Sequence, residues 1–204
     1  GYVITGYTNP SSTTTSEDLY LLKIDANGIE QWTKTFGISG YSYGDGGNSV
    51  QQTTDGGYII TGWTYSFGNG DGDVYLIKTD GNGIEQWSQT FGGTSYDWGY
   101  SVQQTTDGGY IITGYTSSFG NVSRDIYLIK TSASGNEQWS QTFGGAAQEM
   151  ASSVQQTTDG GYIITGTFYD SVSVVRNVYL IKTDGSGNEQ WIQTFVGAYE
   201  AWGF

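Results

Sequence analysis

The chain lacks cysteine and histidine altogether, and its 204 residues include one proline and seven lysine or arginine residues. Without cysteine there is no disulfide, thiolate metal site or thiol catalysis. Without histidine, the commonest general base and the imidazole metal ligands are missing. The net charge of −13 repels phosphate backbones and anionic lipids, so nucleic-acid binding and membrane docking are not expected. No apolar run is long enough to insert into a membrane.

Glycine and aromatic residues are abundant instead. The chain has 33 glycines, 17 tyrosines, 8 phenylalanines and 7 tryptophans, and 36% of its residues are hydrophobic. This composition is too aromatic for a disordered chain and favours many short strands joined by tight turns.

An internal repeat organises the whole sequence. SVQQTTDGGYIITG occurs three times, and a partial copy, GYVITG, opens the chain. The full copies begin gap-free units of 52 residues, while the opening unit lacks the first eight residues of the pattern. The units are 1–48, 49–100, 101–152 and 153–204. A period near 50 indicates a repeat architecture, here within a single domain spanning 1–204.

Each unit is predicted to form four antiparallel strands. In the second unit these are Ser49–Thr54, Tyr58–Thr64, Asp73–Thr79 and Ile84–Phe91. Gly-rich turns of the DGG and DGNG type join the first strand to the second and the third to the fourth. The predicted fold is therefore all-β, a β-propeller of four repeats with four-stranded antiparallel blades. A β-solenoid is the alternative, but its coils would not need two Gly-rich hairpins per unit.

The motifs DGGYIITG, YLIKTD and a following tryptophan strand resemble the tandem-repeat β-propellers of bacterial and archaeal surface and secreted proteins. The resemblance covers the whole chain, and the four-strand pattern is also similar to kelch and tryptophan-aspartate repeats. It implies an extracellular or cell-surface setting. It does not imply an activity, because such folds carry many functions. The glycosylation triplet that begins at Asn121 agrees with the same setting.

Variation among the units is confined to one face of the predicted blades. The DGG and DGNG turns hardly change, whereas the loops between second and third strands and the passages between blades differ throughout. Because recognition residues usually lie on variable loops, this variable face is predicted to carry any binding site. Its acidic residues are Glu17, Asp45, Asp71, Asp97, Glu149, Asp170 and Glu200.

Aromatic residues of the variable face form the candidate ligand site. Trp98 and Trp202 share one position in the passages between blades, and tyrosines and acids lie close to them in sequence. The candidate residues are Trp98, Trp202, Tyr96, Asp97, Tyr199, Glu200, Tyr41, Tyr43 and Asp45. Two interpretations stay open. The rings stack on sugar C–H groups while the acids accept hydroxyl hydrogen bonds, or the rings fill the seam between blades.

The fourth strands carry a repeated glutamate and a repeated tryptophan. Each glutamate follows a lysine by seven residues, a spacing that predicts a cross-strand ion pair rather than a catalytic carboxylate. The pairs are Lys23/Glu30, Lys78/Glu85, Lys130/Glu137 and Lys182/Glu189. The tryptophans, Trp32, Trp87, Trp139 and Trp191, are predicted to pack between blades.

One segment has a faint calcium-loop pattern. Asn69, Asp71 and Asp73 alternate in GNGDGD, as oxygen ligands do in calcium loops. The equivalent segments carry Arg124 and Arg176, so a repeated site is not expected. No cofactor is predicted, with a single calcium ion in the second unit as the alternative.

The expected function is a non-enzymatic structural or protein-interaction module that acts through the variable face. A carbohydrate-binding, lectin-like propeller is the alternative. A glycan hydrolase or lyase is the third hypothesis, and it requires two loop acids about 5–10 Å apart in a concave pocket.

The opening unit lacks SVQQTT, so the first blade is predicted to have no innermost strand. Three explanations are open. The chain is a fragment of a longer array, or it is a truncated ring with a tolerated edge, or a neighbouring molecule completes the blade by self-association. An unpaired strand edge recruits other chains, so each explanation has to account for this edge. The fragment and the truncated ring are the favoured explanations.

Overall fold

The computed structural model describes residues 1–8, 17–38, 43–121, 123–170 and 175–195, and in these ranges the protein is all-β. No helix long and apolar enough to cross a membrane occurs among these residues. The strands are β1 (Tyr2–Thr8), β2 (Asp18–Ile24), β3 (Glu30–Phe36), β4 (Gly46–Gln52), β5 (Tyr58–Thr64), β6 (Asp73–Thr79), β7 (Glu85–Phe91), β8 (Asp97–Gln104), β9 (Tyr110–Thr116), β10 (Asp125–Thr131), β11 (Glu137–Phe143), β12 (Gln148–Gln156), β13 (Tyr162–Asp170), β14 (Val175–Thr183) and β15 (Glu189–Phe195).

The strands form four separate antiparallel sheets, one for each repeat unit. The first sheet has three strands in the order β1-β2-β3, and the others are β4-β5-β6-β7, β8-β9-β10-β11 and β12-β13-β14-β15. Among the described residues each sheet follows chain order and none closes on itself. For this part of the chain, the prediction of four antiparallel strands per complete unit, with one strand fewer in the first, is confirmed.

The predicted strand limits are confirmed in the middle of a unit and shifted at its ends. β5 and β6 have the predicted bounds, and every residue of β6 is buried, as expected for a strand covered on both faces. β4 begins at Gly46 rather than Ser49, because Gly46 and Gly47 already pair with β5. It ends before Thr53, whose backbone N–H donates to Gly57 and so opens the turn.

The chain divides into two compact units, residues 1–99 and 100–204. In each unit a hydrophobic core lies between two successive sheets. The first core contains Leu19, Leu21, Tyr58, Ile60, Tyr75 and Ile77. The second contains Ile111, Ile126, Leu128, Phe143, Ala151, Val154, Tyr162, Ile164 and Ile181.

Tryptophans of the fourth strands pack on the next sheet, as predicted. The Trp32 ring lies 5.9 Å from Tyr58 at 64°, and the Trp139 ring lies 5.8 Å from Tyr162 at 60°. The same contact therefore joins the two sheets in each compact unit. Trp191 is different, because 40% of its side chain is exposed.

The predicted lysine–glutamate pairs are wrong. Lys78 lies opposite Trp87, and Glu85 lies opposite Thr79, with a register shift between the two pairs. A bulge of this kind places one extra residue, here Gln86, on the fourth strand and breaks the simple count across the hairpin. The same shift follows Lys23, Lys130 and Lys182.

Three of these four lysines instead pair with the aspartates of the DGG turns. Lys78 Nζ lies 2.9 Å from Asp55 Oδ2 and also donates to Gln86 Oε1 at 3.1 Å. The Thr53 hydroxyl and the Lys78 amine lower the pKa of Asp55 to about 2. Equivalent ion pairs of 2.9 Å join Lys130 to Asp107 and Lys182 to Asp159. The repeated turns are thus locked to the third strand by a partly buried charge pair.

Candidate binding edge of the sheets

Each sheet has two ends, which are named here by the connections they carry. The turn edge holds the DGG and DGNG-type turns. The loop edge holds the loop between second and third strands and the passage that leaves the sheet. At the loop edge of the second sheet, Asp97 N donates to Gly72 O at 2.7 Å. Equivalent hydrogen bonds run from Asp45 N to Glu17 O at 2.8 Å and from Glu149 N to Arg124 O at 2.7 Å. Loop and passage therefore lie together, as predicted for the variable face.

Three tyrosines pack together at the loop edge in the first compact unit, residues 1–99, and are called the tyrosine cluster below. The rings of Tyr43 and Tyr65 stack at 5.2 Å and 28°, and the ring of Tyr96 meets Tyr65 edge-on at 6.3 Å and 70°. Tyr43 and Tyr96 are 67% and 41% exposed, whereas Tyr65 is half-buried between them. Two of the predicted site residues are thus brought together.

Tyr65 was missed by sequence reasoning, although it lies in the variable loop TYSFGNGDG. Burial raises the pKa of Tyr65, and the neighbouring Tyr96, Tyr43 and Asp71 raise it further. Its phenol therefore stays protonated at neutral pH and is available as a hydrogen-bond donor.

Trp98 belongs to a different aromatic stack. Its ring stacks on Trp63 at 5.0 Å and 20°, and Tyr7 also contacts Trp63, edge-on at 6.0 Å and 61°. Trp98 is half-buried. A Cβ at Gly46, the partner of Trp63 across the strands, would clash with the Trp63 ring. These contacts favour seam packing over ligand stacking for Trp98.

Four of the predicted site residues lie outside the described part of the chain, so the structure does not place them. They are Tyr41, Tyr199, Glu200 and Trp202.

The two remaining site residues, Asp45 and Asp97, are 0% exposed and do not present carboxylates to a surface ligand. The sequence predicts that these two acids accept hydrogen bonds from a ligand, and their burial does not agree with that role. Asp45 accepts hydrogen bonds from the Thr64 hydroxyl, from Tyr65 N at 3.1 Å and from Ser66 Oγ at 2.6 Å. It therefore fixes the backbone of the loop that carries the central ring of the tyrosine cluster.

The buried acids occur as carboxyl pairs, one in each of the first three units. At Gly92, an added Cβ would clash with an oxygen of Asp73 and approach Asp97 Oδ2 to 2.6 Å, so both carboxyls face this glycine. The pairs and their glycines are Asp18 and Asp45 at Gly37, Asp73 and Asp97 at Gly92, and Asp125 and Glu149 at Gly144. All six acids are buried.

Burial and mutual repulsion raise the pKa of one acid in each pair. Burial raises the pKa of Asp18, Asp73 and Glu149, and the partner carboxylate raises it further. Among the described residues, Asp18 Oδ1 and Glu149 Oε2 are buried without a hydrogen-bond partner. A proton held on one carboxyl would replace this repulsion with a hydrogen bond inside the pair.

The carboxyl pairs are not accessible to a glycan substrate. Hydrolysis requires two acids that line an open pocket, and these acids are at most 9% exposed.

The fourth repeat unit has neither the two acids nor the glycine of the carboxyl pair. Asn177, which is buried, replaces the first acid, and the sequence has Val196 for the glycine and Ala201 for the second acid. The three positions change together, which indicates that they act as a set. Aligning the four units would have shown this joint change in the sequence, although not that the carboxyls face each other.

The calcium candidates do not form a cluster of acidic ligands. Asp73 accepts a hydrogen bond from Asn69 N at 2.8 Å and belongs to the carboxyl pair, whereas Asp71 is exposed. No group of three or more acidic residues suited to a metal ion occurs among the described residues.

The third repeat unit carries different chemistry at the same positions. Tyr115 stands where the second repeat unit has Trp63, and Met150 stands where it has Trp98. The Arg124 guanidinium lies 4.6 Å above the Tyr115 ring and donates to Met150 Sδ at 3.7 Å. A cation–π contact thus replaces the tryptophan stack.

Comparison with known proteins assigns no family, because no protein-family model matches the chain and no curated protein is significantly similar to it.

Proposed function

We propose that the chain is a non-enzymatic β-propeller module of the cell surface or extracellular space that binds a protein through its loop edge. The observation that carries this proposal is the tyrosine cluster, in which Tyr43 and Tyr96 are exposed around the half-buried Tyr65. Tyrosine is enriched in binding interfaces, because its ring supplies apolar contact area and its hydroxyl still hydrogen-bonds.

The difference between the two edges supports this assignment. The turn edge repeats the same lysine–aspartate pair in three sheets, at 2.9 Å each time. The loop edge keeps the buried carboxyl pair in the first three repeats but changes its aromatic residues from one repeat to the next. A constant support beneath variable side chains is the usual arrangement of a recognition surface.

The propeller arrangement of the sheets is supported by the tryptophan–tyrosine contact that recurs between successive sheets in both compact units. Four-stranded antiparallel sheets that stack face to face through one repeated contact are typical of propeller blades.

A peptide selection tests the binding function. The immobilised chain is panned against a phage-displayed peptide library, and enriched clones are compared on the wild type and on Tyr43→Ala/Tyr96→Ala. We expect the clones to bind the variant at least about tenfold more weakly, because two interface rings are lost. The matched control is Ile29→Ala/Ile84→Ala, which removes two exposed side chains from the turn edge. Clones that lose affinity only for the control variant would overturn the proposal.

Carbohydrate binding is the second candidate, and the tyrosine cluster beside Asp71 favours it. Ring faces stack on sugar C–H groups, and an exposed carboxylate accepts sugar hydroxyls. Asp71 is exposed and close enough to Tyr65 to raise the pKa of its phenol. A glycan array probed with the labelled chain tests this candidate. It predicts signals that disappear in Tyr43→Ala/Tyr96→Ala and persist in Trp98→Ala, and an array with no signal would exclude the glycans it carries.

A further inference from the structure

Both arginines of the chain lie over tyrosine rings at the loop edge of the second compact unit, residues 100–204. The guanidinium carbon of Arg124 is 4.6 Å from the centre of the Tyr115 ring. That of Arg176 is 5.8 Å from the centre of the Tyr169 ring. A guanidinium at these distances is attracted to the negative face of the ring. The second compact unit therefore supplies its own cations to tyrosines of its loop edge.

The central ring of the tyrosine cluster stands at a repeat position where the chain elsewhere pairs tyrosine with arginine. In the gap-free repeats, Tyr65 aligns with Tyr169, and Gly72 aligns with Arg176. A Cβ built on Gly72 would lie 3.2 Å from two atoms of the Tyr65 ring, so a side chain at this position begins beside the ring. The second repeat thus keeps the tyrosine of the fourth repeat but replaces its arginine with a residue that has no side chain.

The first compact unit has no arginine, and its three lysines belong to the turn edge. Lys78 pairs with Asp55 of the DGG turn at 2.9 Å, and Lys23 stands at the same repeat position as Lys78. The Cγ of Lys34 lies 2.9 Å from a Cβ built on Gly83, in the DGNG turn. The tyrosine cluster therefore has no cation from its own unit.

The surroundings of the tyrosine cluster are acidic. Asp71 is exposed and precedes Gly72, and it is close enough to Tyr65 to contribute to the raised pKa of that phenol. Tyr43 and Tyr96 are 67% and 41% exposed, so ring surface is accessible beside the carboxylate. With a net charge of −13, the chain attracts cationic groups and repels anionic ones. The site thus complements a cation that also has a flat apolar face.

We propose that the tyrosine cluster binds an arginine side chain of a partner protein, with Asp71 as the counter-charge. This inference rests on the proposed function, because it names the chemical group that the loop edge recognises. The guanidinium lies over the exposed ring surface of Tyr43 and Tyr96, and its N–H groups donate to the Asp71 carboxylate. The partner thereby supplies the cation that Arg176 supplies to Tyr169 within the chain.

Arginine fits this site better than lysine does. A guanidinium is planar and weakly hydrated, so it can stack on a ring while its edge donates hydrogen bonds to a carboxylate. A lysine ammonium is compact and strongly hydrated, and it loses more solvation when it lies against a ring. Both intramolecular examples in the chain use arginine.

Peptide selection with a fixed central residue tests the proposal. Three phage-displayed libraries that differ only in this residue (arginine, lysine or glutamine) are panned against the immobilised chain. We expect the arginine library to give the tightest clones. In a synthetic peptide from that library, citrulline in place of the arginine keeps the shape of the side chain but removes its charge. This exchange should weaken binding about fivefold, because the cation–π contact and the ion pair are lost.

Variants of the aromatic residues locate the contact. Tyr43→Ala/Tyr96→Ala should abolish the preference for arginine over citrulline. The matched variant Tyr43→Phe/Tyr96→Phe keeps both rings and should keep the preference. In NMR spectra, ring currents should shift the side-chain CH₂ protons of the bound arginine upfield with the wild type and with the Phe variant, but not with the Ala variant.

A variant of the acid tests the counter-charge. Asp71→Asn should weaken the arginine peptide about twofold to threefold and leave the citrulline peptide unchanged. Glu85→Gln is the control, because it removes an exposed acid at the start of β7, next to the DGNG turn. This variant should bind both peptides as the wild type does.

The outcomes separate this inference from the proposed function. Clones that require Tyr43 and Tyr96 but bind equally with arginine and citrulline would overturn the inference and leave the proposed function in place. Equal affinity of arginine and lysine versions of one peptide would also overturn it, since diffuse attraction to an acidic surface would then explain the binding. Failure of every library to yield a clone that depends on the tyrosine cluster would overturn both.

Discussion

Asp73 and Asp97 direct carboxylate oxygens at the same glycine, Gly92. Asp73 is the first residue of β6, the third strand of its sheet. Asp97 is the first residue of β8, the first strand of the next sheet. A buried acid pair therefore links the passage between repeats to the loop edge of the sheet that it leaves. The pH dependence of stability and the effects of substitutions at Asp73 and Gly92 are expected to follow from this acid pair.

The stability of the protein is expected to fall as the pH rises from mildly acidic to neutral. The pKa values of Asp18, Asp73 and Glu149 are raised in the folded state by burial and by their partner acids. Protonated acids of this kind stabilise the fold below their unfolded pKa of about 4, and this contribution is lost as the pH rises through the folded pKa.

The aspartates of the DGG turns lower the stability of the protein at the acidic end of the pH range. The pKa of Asp55 is lowered to about 2, so its contribution is present above about pH 4 and is lost as the pH falls towards 2. Calorimetry between about pH 2 and pH 8 should therefore give a maximum melting temperature near pH 4–5. A melting temperature that rises steadily up to the upper end of this range would contradict the account of the carboxyl pairs.

Replacing one acid of a pair by its amide should reduce this pH dependence, because the other two pairs still titrate. In Asp73→Asn, the amide oxygen can still accept from Asn69 N, and the amide nitrogen can donate to Asp97. The fourth repeat already has Asn177 at this position. We expect the free energy of unfolding at neutral pH to stay within about 1 kcal/mol of the wild type or to increase.

The matched control for that variant is Asp71→Asn, which changes an exposed acid of the same loop. The melting temperature of Asp73→Asn should differ less between mildly acidic and neutral pH than that of the control. Equal slopes in the two variants would show that Asp73 is not the titrating group.

Gly92→Ala should destabilise the protein by about 1–3 kcal/mol, because the added methyl group clashes with both carboxyls of a packed pair. Gly6→Ala is the control, since a Cβ at Gly6 meets no atom within 4 Å. Urea unfolding of the two variants measures the difference. A Gly92→Ala variant as stable as Gly6→Ala would mean that the carboxyls do not enclose this glycine.

Asp55→Asn should destabilise the second sheet by about 1 kcal/mol. The amide keeps the hydrogen bond from Gly57 N but leaves Lys78, which is only 3% exposed, without its counter-charge. The effect is kept modest because Asp55 itself is largely exposed and screened by water. Asp80→Asn, in the other turn of the same edge, is the control and should have a smaller effect, because Asp80 forms no ion pair with a lysine in the described part of the chain. Equal losses of melting temperature would argue against the ion pair.

The sequence predicts the parts of the fold that depend on local pattern. Alternating and continuous apolar runs placed β5 and β6 to the residue, and the DGG motif located the hairpin between β4 and β5. The lysine partner was mispredicted because a one-residue bulge after Lys78 shifts the register, and no sequence count reveals it.

The candidate site was predicted only in part, because its contacts depend on how distant segments of the chain pack together. Tyr43 and Tyr96 were found because they lie in variable segments, but their contact through Tyr65 joins residues that are far apart in the sequence. Asp45 and Asp97 read as surface acids, since nothing local distinguishes a loop carboxylate from one buried by the chain's own fold. That distinction depends on tertiary packing.

The central claim is that the loop edge binds the partner, whereas the turn edge stabilises the sheets. Hydrogen–deuterium exchange of the chain, measured with and without a synthetic peptide from the selection, tests this claim most directly. The account predicts protection of residues 65–72 and 93–97, which surround the tyrosine cluster. Protection confined to the turns at 53–57 and 80–84 would contradict it.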